Sequence, residues 1–175
     1  MIKQKTLTQN TTYYTTALIY QKALAFVYFA FLARGLGVDD LGRYSFAFSF
    51  TTIFSVFVDV GLSSIVTREI AKDKDKTQKI ISNVLGLKLI LSVFVYALVA
   101  VLINLMHYPE LTKNLVYITG LIMLLDSFST TFWGTLRGNQ NLKYESLGII
   151  VFETVVVGAG LILLHLGLGV VWVTC

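Results

Sequence analysis

The length of the apolar blocks constrains this chain more than any other feature. Five blocks, separated by short polar connections, each approach the roughly 20 residues that a helix needs to cross a bilayer. A soluble domain of 175 residues, 55% of them hydrophobic, has too little interior to bury so many apolar side chains. The blocks therefore predict membrane spans, at residues 17–33, 44–66, 89–106, 115–133 and 147–168.

The predicted spans are helical. No block alternates apolar and polar residues with a period of two, as the strands of a membrane barrel do. We therefore predict an all-α, polytopic membrane helix bundle that forms a single transmembrane domain over residues 1–175. It contains five complete transmembrane helices and the start of a sixth from residue 170. This incomplete sixth span leads us to expect that the sequence is part of a longer protein.

The basic residues predict the orientation of the spans. Nine Lys and Arg lie in the N-terminal tail and the even-numbered connections, against three in the odd-numbered connections. Cytoplasmic loops carry such an excess, so we place the N-terminus in the cytoplasm. Because these residues lie between apolar blocks, the net charge of +4 does not indicate nucleic-acid binding. The nine are Lys3, Lys5, Arg68, Lys72, Lys74, Lys76, Lys79, Arg137 and Lys143.

Each predicted span carries one ionisable residue well inside it. These residues are Lys22, Asp59, Lys88, Asp126 and Glu153. Such residues are costly in lipid and usually face a bundle interior or a watery cavity. At the rise of an α-helix, Asp59, Lys88, Asp126 and Glu153 lie about 15 Å from cytoplasmic basic residues. We place all five in one layer, where their charges would largely cancel. Alternatively, Lys22 and Lys88 extend their ammonium groups to the interface.

Polar side chains form stripes along three spans. A stripe on the second span falls within about a third of the helix circumference, which predicts a face turned away from lipid. The alternative is that the hydroxyl groups hold neighbouring helices together. Small residues at Gly86, Gly120, Gly134, Gly138, Gly158 and Gly160 predict close helix packing. The stripes contain Ser45, Ser49, Thr52, Ser55, Asp59 and Ser63; Thr119, Asp126, Thr130 and Arg137; and Ser146 and Glu153.

The sequence contains no recognisable catalytic motif. It has no cluster of Cys and His for a metal, no glycine-rich phosphate loop and no scaffolded Ser/His/Asp set. His107 and His165 are isolated near the predicted outer ends of spans, where interfacial residues are common. Cys175 is the only cysteine, so an internal disulfide is excluded. We expect no enzyme activity and no cofactor.

One segment resembles a known family. Residues 34–74 contain an LG-rich element at 36–46, the sequence DVGL at 59–62 and REIA at 68–71. This pattern is similar to the first loop and second helix of polysaccharide flippases, the O-antigen and repeat-unit transporters of the multidrug/oligosaccharidyl-lipid/polysaccharide exporter superfamily. The segment LRGNQNLKYESLG, at 136–148, is similar to the equivalent part of that family.

The resemblance implies a bundle of about twelve to fourteen helices in two lobes, which exchanges access to a central site. This chain would supply most of the N-terminal lobe, and the C-terminal lobe would follow it or come from a split partner. The ligand would be a polyprenyl-diphosphate-linked oligosaccharide in a prokaryotic plasma membrane. Lys22 and Lys88 would meet the diphosphate, while Asp59, Asp126 and Glu153 would bind a coupling proton or sodium ion.

Other functions remain open from the sequence. A multidrug exporter of the same superfamily would favour a strongly acidic cavity, and a peptidoglycan-precursor flippase would carry a cluster of cavity arginines. A membrane polymerase or ligase acting on lipid-linked sugars would need large outer loops, and here the outer connections are about ten residues or shorter. A membrane scaffold without transport activity would tolerate charge changes at Asp59 and Asp126.

Overall fold

The structure is a computed structural model that describes residues 2–139 and 142–165. In this part of the chain all regular structure is helical, which confirms the predicted all-α fold class. A short 3₁₀ turn, Lys74–Lys76, joins the third α-helix to the fourth. The six α-helices are α1 (Ile2–Gly35), α2 (Gly37–Asp59), α3 (Leu62–Lys72), α4 (Thr77–Leu105), α5 (Glu110–Gly138) and α6 (Leu142–His165).

Five stretches of the described helices are long and apolar enough to cross a membrane, so the chain is a multi-pass membrane protein. Four predicted spans correspond to α1, α4, α5 and α6, although the helices extend beyond the predicted limits. The last residues of the fifth predicted span and the start of the sixth lie outside the described residues. Only Leu36 separates α1 from α2, so the first connection is far shorter than predicted.

The second predicted span is not one continuous helix. It covers most of α2 and the beginning of α3, with a break at Val60 and Gly61. Both residues adopt left-handed backbone conformations, with φ of 41° at Val60 and 79° at Gly61. Glycine accepts this conformation without a steric penalty, whereas a β-branched residue does not. Continuous apolar content across the break conceals it from a hydropathy analysis, so the prediction of an uninterrupted span was wrong.

Helix α5 is the centre of the bundle. It packs against α2, α3 and α4, whereas α1 packs mainly against α6. The larger apolar core lies between α2, α4 and α5 and includes Val58, Val99 and Leu115. Most large apolar side chains on the other faces are exposed, as expected for surfaces in contact with lipid. The described helices therefore consist of a four-helix group, α2–α5, and a helix pair, α1 and α6.

Two glycines allow α5 to approach α3 closely. A Cβ atom placed on Gly134 would lie 2.9 Å from the carbonyl oxygen of Ser63, and one on Gly138 would lie 2.9 Å from that of Thr67. Thr67 uses this proximity to donate a hydrogen bond of 3.1 Å to the carbonyl oxygen of Gly134. Small residues at such contacts are typical of membrane helix pairs. The packing role predicted for these two positions is confirmed.

The other predicted packing glycines divide into two classes. Gly120 and Gly160 each face a tyrosine ring of a neighbouring helix, so their small size is needed. A Cβ atom added to Gly86 or to Gly158 would have no neighbour within 4 Å, and the prediction of close packing is wrong for both. Their surroundings in the described structure leave room for larger side chains.

Candidate functional site

A buried ion pair lies at the helix break. Asp59 is the last residue of α2, and its Oδ1 atom is 2.6 Å from Nζ of Lys88 on α4. The side chain of Lys88 is 0% exposed, whereas that of Asp59 is 31% exposed. The alternative interpretation, in which Lys88 extends its ammonium group to the membrane interface, is therefore wrong. A charged group in such a position is retained only with close partners.

Lys88 has two further oxygen partners. Its Nζ atom donates to the carbonyl oxygen of Ser127 at 2.6 Å and to Oγ of Ser63 at 3.3 Å. Ser63 in turn donates to Oδ1 of Asp59 at 2.5 Å and contacts Oγ1 of Thr130 at 3.3 Å. Carboxylate, hydroxyl and carbonyl oxygens from three helices therefore surround one ammonium group. We refer to Asp59, Ser63, Lys88 and Ser127 as the ammonium site.

The break in the helix brings these groups together. If α2 continued past residue 60, its carbonyl groups would accept hydrogen bonds from the next turn of the same helix. No free helix end would then lie beside Lys88. Because α2 ends at Asp59, its C-terminal end with its partial negative charge lies beside the ammonium group. The first turn of α3 then supplies Ser63 from the other side of the break.

A cleft of about 430 Å³ opens beside the ammonium site. It lies along one face of α5 and against the break between α2 and α3. Asp126 lines the cleft without an ion-pair partner among the described residues, and its side chain is exposed. The lining residues are Ser55, Val56, Asp59, Val60, Gly61, Ser63, Met123, Asp126, Ser127, Thr130 and Arg137.

Comparison with known proteins gives the chain a family. The polysaccharide biosynthesis protein family matches residues 7–174, which is nearly the whole sequence. The chain belongs to this family. A capsular polysaccharide biosynthesis protein, CapF, of Staphylococcus aureus is 27% identical over 154 residues. That similarity covers 83% of this chain but 37% of the relative, so the chain spans little more than a third of that protein's length. No solved structure matches the chain.

In this member of the polysaccharide biosynthesis protein family, the predicted layer of five charges divides into two groups. Asp59 and Lys88 form an ion pair, and Asp126 shares their cleft. Glu153 instead accepts a hydrogen bond of 3.2 Å from Nε2 of Gln21, within the α1–α6 pair. Lys22 is exposed and makes no ion pair among the described residues. Of the five charges that were predicted largely to cancel, only Asp59 and Lys88 form an ion pair among the described residues.

The polar stripe of the second span is also different from the prediction. The side chains of Ser49 and Thr52 are exposed in the described structure. Thr51, on another face of α2, is only 2% exposed. Thr52 donates to a carbonyl oxygen of its own helix, as Ser55 does. The hydroxyl groups of Thr52 and Ser55 therefore do not join α2 to its neighbours, whereas that of Ser63 contacts Lys88 on α4 and Thr130 on α5. Ser55, Asp59 and Ser63 line the cleft.

Sequence analysis missed a second buried charge. The side chain of Glu145 on α6 is 1% exposed, and its Oε1 atom lies 3.0 Å from Nε of Arg137 on α5. The N–H group is not directed at this oxygen, so the contact is an ion pair without a hydrogen bond. Arg137 also lines the cleft. The sequence interpretation used Arg137 as a marker of orientation and as a member of a polar stripe, although an acid eight residues later was a signal for pairing.

The connection between α3 and α4 is solvated, as the sequence indicates. Lys72 and Lys76 make exposed ion pairs with Glu69 and Asp73. The hydrogen bond from Lys76 holds the pKa of the Asp73 carboxyl below its ordinary value. Exposed pairs of this kind add little to stability. The connection supplies no residue to the lining of the cleft. Its basic residues bear on the predicted orientation of the spans.

Proposed function

We propose that this protein is part of a transporter that moves polyprenyl-diphosphate-linked oligosaccharides across a prokaryotic plasma membrane. It would act by alternating access rather than as an enzyme. Family membership and the similarity to a capsular polysaccharide biosynthesis protein support a substrate from polysaccharide synthesis. Multiple apolar helices support a site within the bilayer. The connections Leu36 and 106–109 are too short to hold a sugar-processing domain.

One observation carries the proposal: a charged cleft lies at a broken helix inside the predicted membrane. Asp59, Lys88 and Asp126 are costly in lipid and are typical of ion or substrate pathways. Transporters often place such residues where a membrane helix is interrupted, because the free helix ends and unwound backbone bind charged groups. The break at Val60 and Gly61 has this character.

The five predicted site residues take different roles in this proposal. We assign Asp126 and Glu153 to a coupling proton or sodium ion, together with Asp59 as a structural neighbour of that ion. Lys22 is exposed and remains the candidate for contact with the diphosphate. The same assignment for Lys88 does not fit its geometry, since three oxygen atoms already surround its ammonium group.

The chain would act with further helices. It spans 37% of its curated relative, and the exposed polar side chains of Ser49 and Thr52 suit a surface that faces a second lobe across a watery cavity. We expect that lobe to follow in the same polypeptide or to come from a split partner. An N-terminal epitope tag on the native gene tests this. A product in the membrane fraction well above 19.5 kDa supports one polypeptide, and one near that mass supports a partner.

Complementation of a gene deletion tests the transport proposal. We expect Asp126→Asn to reduce surface polysaccharide by about tenfold or more, equivalent to about 1.4 kcal/mol on a rate-limiting barrier. Membrane levels of the protein should not change, because Asp126 has no ion-pair partner to lose among the described residues. The control is Asp75→Asn, which removes an exposed carboxylate from the α3–α4 connection. Equal export by Asp126→Asn and the wild type would support a scaffold instead.

The location of the accumulated intermediate separates a transporter from an enzyme. Without transport, lipid-linked oligosaccharides accumulate in the cytoplasmic leaflet, where an external sugar oxidant or lectin does not reach them in spheroplasts. Without a polymerase or ligase, the same molecules accumulate in the outer leaflet and are accessible. Accumulation in the outer leaflet of the deletion strain would therefore contradict the proposal.

A further inference from the structure

The oxygen atoms around Lys88 form the kind of set that binds a monovalent metal ion. A carboxylate oxygen of Asp59 and the main-chain oxygen of Ser127 each lie 2.6 Å from Nζ, and the Ser63 hydroxyl lies at 3.3 Å. Hard cations prefer oxygen ligands of this kind. In membrane transporters, such sets are found where helix C-terminal ends and interrupted backbone meet.

We propose that Asp59, Ser63 and Ser127 form a monovalent-cation site whose permanent occupant is the ammonium group of Lys88. The three oxygen donors belong to α2, α3 and α5, whereas the cation is supplied by α4. An ammonium group carries the same charge as a sodium ion and donates to the same oxygens. The centre therefore binds no free metal ion while Lys88 is in place.

The burial of Lys88 supports this assignment. Its side chain is 0% exposed, so the ammonium group cannot exchange the protein oxygens for water in the described arrangement. Ser63 links the site internally, because its hydroxyl contacts both Lys88 and Asp59. The cation site and its occupant therefore form one connected network between four helices.

The inference deepens the proposed function, because it excludes Asp59 as the ligand of an exchangeable ion. Asp126 lies in the same cleft without an ion-pair partner among the described residues and remains available for a mobile cation. The test measures cation binding in the purified protein and requires no transport. Its failure is thus distinguishable from a failure of the proposed transport function.

Removal of Lys88 should open the site to cations from solution. In Lys88→Ala, the carboxylate of Asp59 keeps its negative charge beside the space that the ammonium group has left. A sodium or methylammonium ion can then restore the lost contacts. If the pair were only a link between helices, the variant would be destabilised and small cations would not restore it.

The experiment is thermal unfolding of the protein produced from its native gene and purified in detergent. Three salts are compared at equal ionic strength: sodium chloride, methylammonium chloride and choline chloride. For the wild type, we expect that replacing choline by sodium changes the midpoint no more than it does in Asp59→Asn, because a mobile cation would bind at Asp126 and not at Asp59. For Lys88→Ala, we expect a lower midpoint in choline and a rise of about 5 °C or more in sodium or methylammonium at concentrations well above Kd.

Two variants are matched controls. Asp59→Asn/Lys88→Ala lacks the negative charge of the site, so its midpoint should respond to the choice of cation no more than that of the wild type does. Lys79→Ala removes an exposed lysine near the start of the same helix and should behave as the wild type does.

Three results would overturn the inference. The first is sodium-specific stabilisation of the wild type that Asp59→Asn removes, since the site would then hold a free ion. The second is a Lys88→Ala variant that responds to sodium and methylammonium no more than the double variant does. The third is a Lys88→Ala variant that fails to fold in all three salts while the double variant folds. Folding of Lys88→Ala only in sodium or methylammonium would support the inference.

Discussion

At the residue scale, the contact between Arg137 and Glu145 illustrates how a buried charge depends on its partner. Glu145 is 1% exposed, and Arg137 approaches it from the neighbouring helix. Removing one member of such a pair leaves a buried charge without compensation. We predict that Arg137→Ala lowers the free energy of unfolding by about 3 kcal/mol. A denaturation series in detergent micelles measures this loss.

A double variant separates the pair from the individual side chains. In Arg137→Ala/Glu145→Gln no charge is stranded, so the loss should be clearly smaller than in Arg137→Ala alone. Arg68→Ala serves as the control, because its ion pair with Glu69 is exposed and should contribute nothing measurable. Equal losses in the single and double variants would show that the ion pair does not hold α5 to α6.

The sequence located the intramembrane charges but not all of their partners. Burial cost predicted that Asp59 and Asp126 face a polar space, and both line the cleft. The position of Lys88 was left between two interpretations, because a long side chain reaches either the interface or a neighbour. Contacts between residues far apart in sequence decide this, as the bond from Lys88 to Ser127 shows. Glu145 was missed because it follows a polar connection and resembles a solvated residue.

At the scale of the helices, the break between α2 and α3 depends on the backbone of Gly61. Its φ of 79° suits glycine, and a Cβ atom there would meet nothing within 4 Å. We predict that Gly61→Ala lowers the free energy of unfolding by about 1 kcal/mol through backbone strain alone. Gly42→Ala is the matched control, because Gly42 also has open space but lies within α2.

The two alanine variants should change stability in opposite directions. Gly42→Ala should be neutral or raise the free energy of unfolding by up to about 1 kcal/mol, because alanine favours helix. Both are measured by thermal unfolding in the same detergent. If Gly61→Ala proved as stable as Gly42→Ala, the left-handed break would not be a required feature of this segment.

The contact between α3 and α5 leads to a third prediction. A methyl group on Gly138 would lie 2.9 Å from the carbonyl oxygen of Thr67 and from Cβ of Ile70. The helices must separate to accept it, and overpacking of this kind costs about 1–3 kcal/mol. We therefore expect Gly138→Ala to lower the unfolding midpoint, whereas Gly86→Ala, where a methyl group meets open space, should not. Equal midpoints for the two variants would contradict the close approach of α3 and α5.

Hydropathy predicted where the membrane helices lie but did not predict the break between α2 and α3. Long apolar blocks located α1, α4, α5 and α6, since lipid requires a continuous helix of nearly fixed length. The break at Val60 and Gly61 involves two residues of an apolar block and leaves no trace in hydropathy. The DVGL sequence, in which a glycine follows an intramembrane acid, was the available signal. It was used for the resemblance to flippases and not for the backbone.

At the scale of the whole molecule, the described helices form two groups with different polar contacts. The α2–α5 group contains the ammonium site and the cleft, and the α1–α6 pair contains the hydrogen bond between Gln21 and Glu153. Few contacts join the two groups beyond those of α1 with α2 and α5 with α6. Sequence periodicity describes each helix separately, so it could not predict this division.

Orientation is the property of the whole molecule on which every depth argument rests. The excess of basic residues predicts that the α3–α4 connection is cytoplasmic and that the start of α2 faces outward. In a Cys175→Ser background, Lys74→Cys should therefore react with a membrane-impermeant thiol reagent only after spheroplasts are permeabilised. Val38→Cys, at a side chain that is 87% exposed, should react in intact spheroplasts. The reverse pattern would move the N-terminus to the outside and place the cleft in the outer half of the membrane.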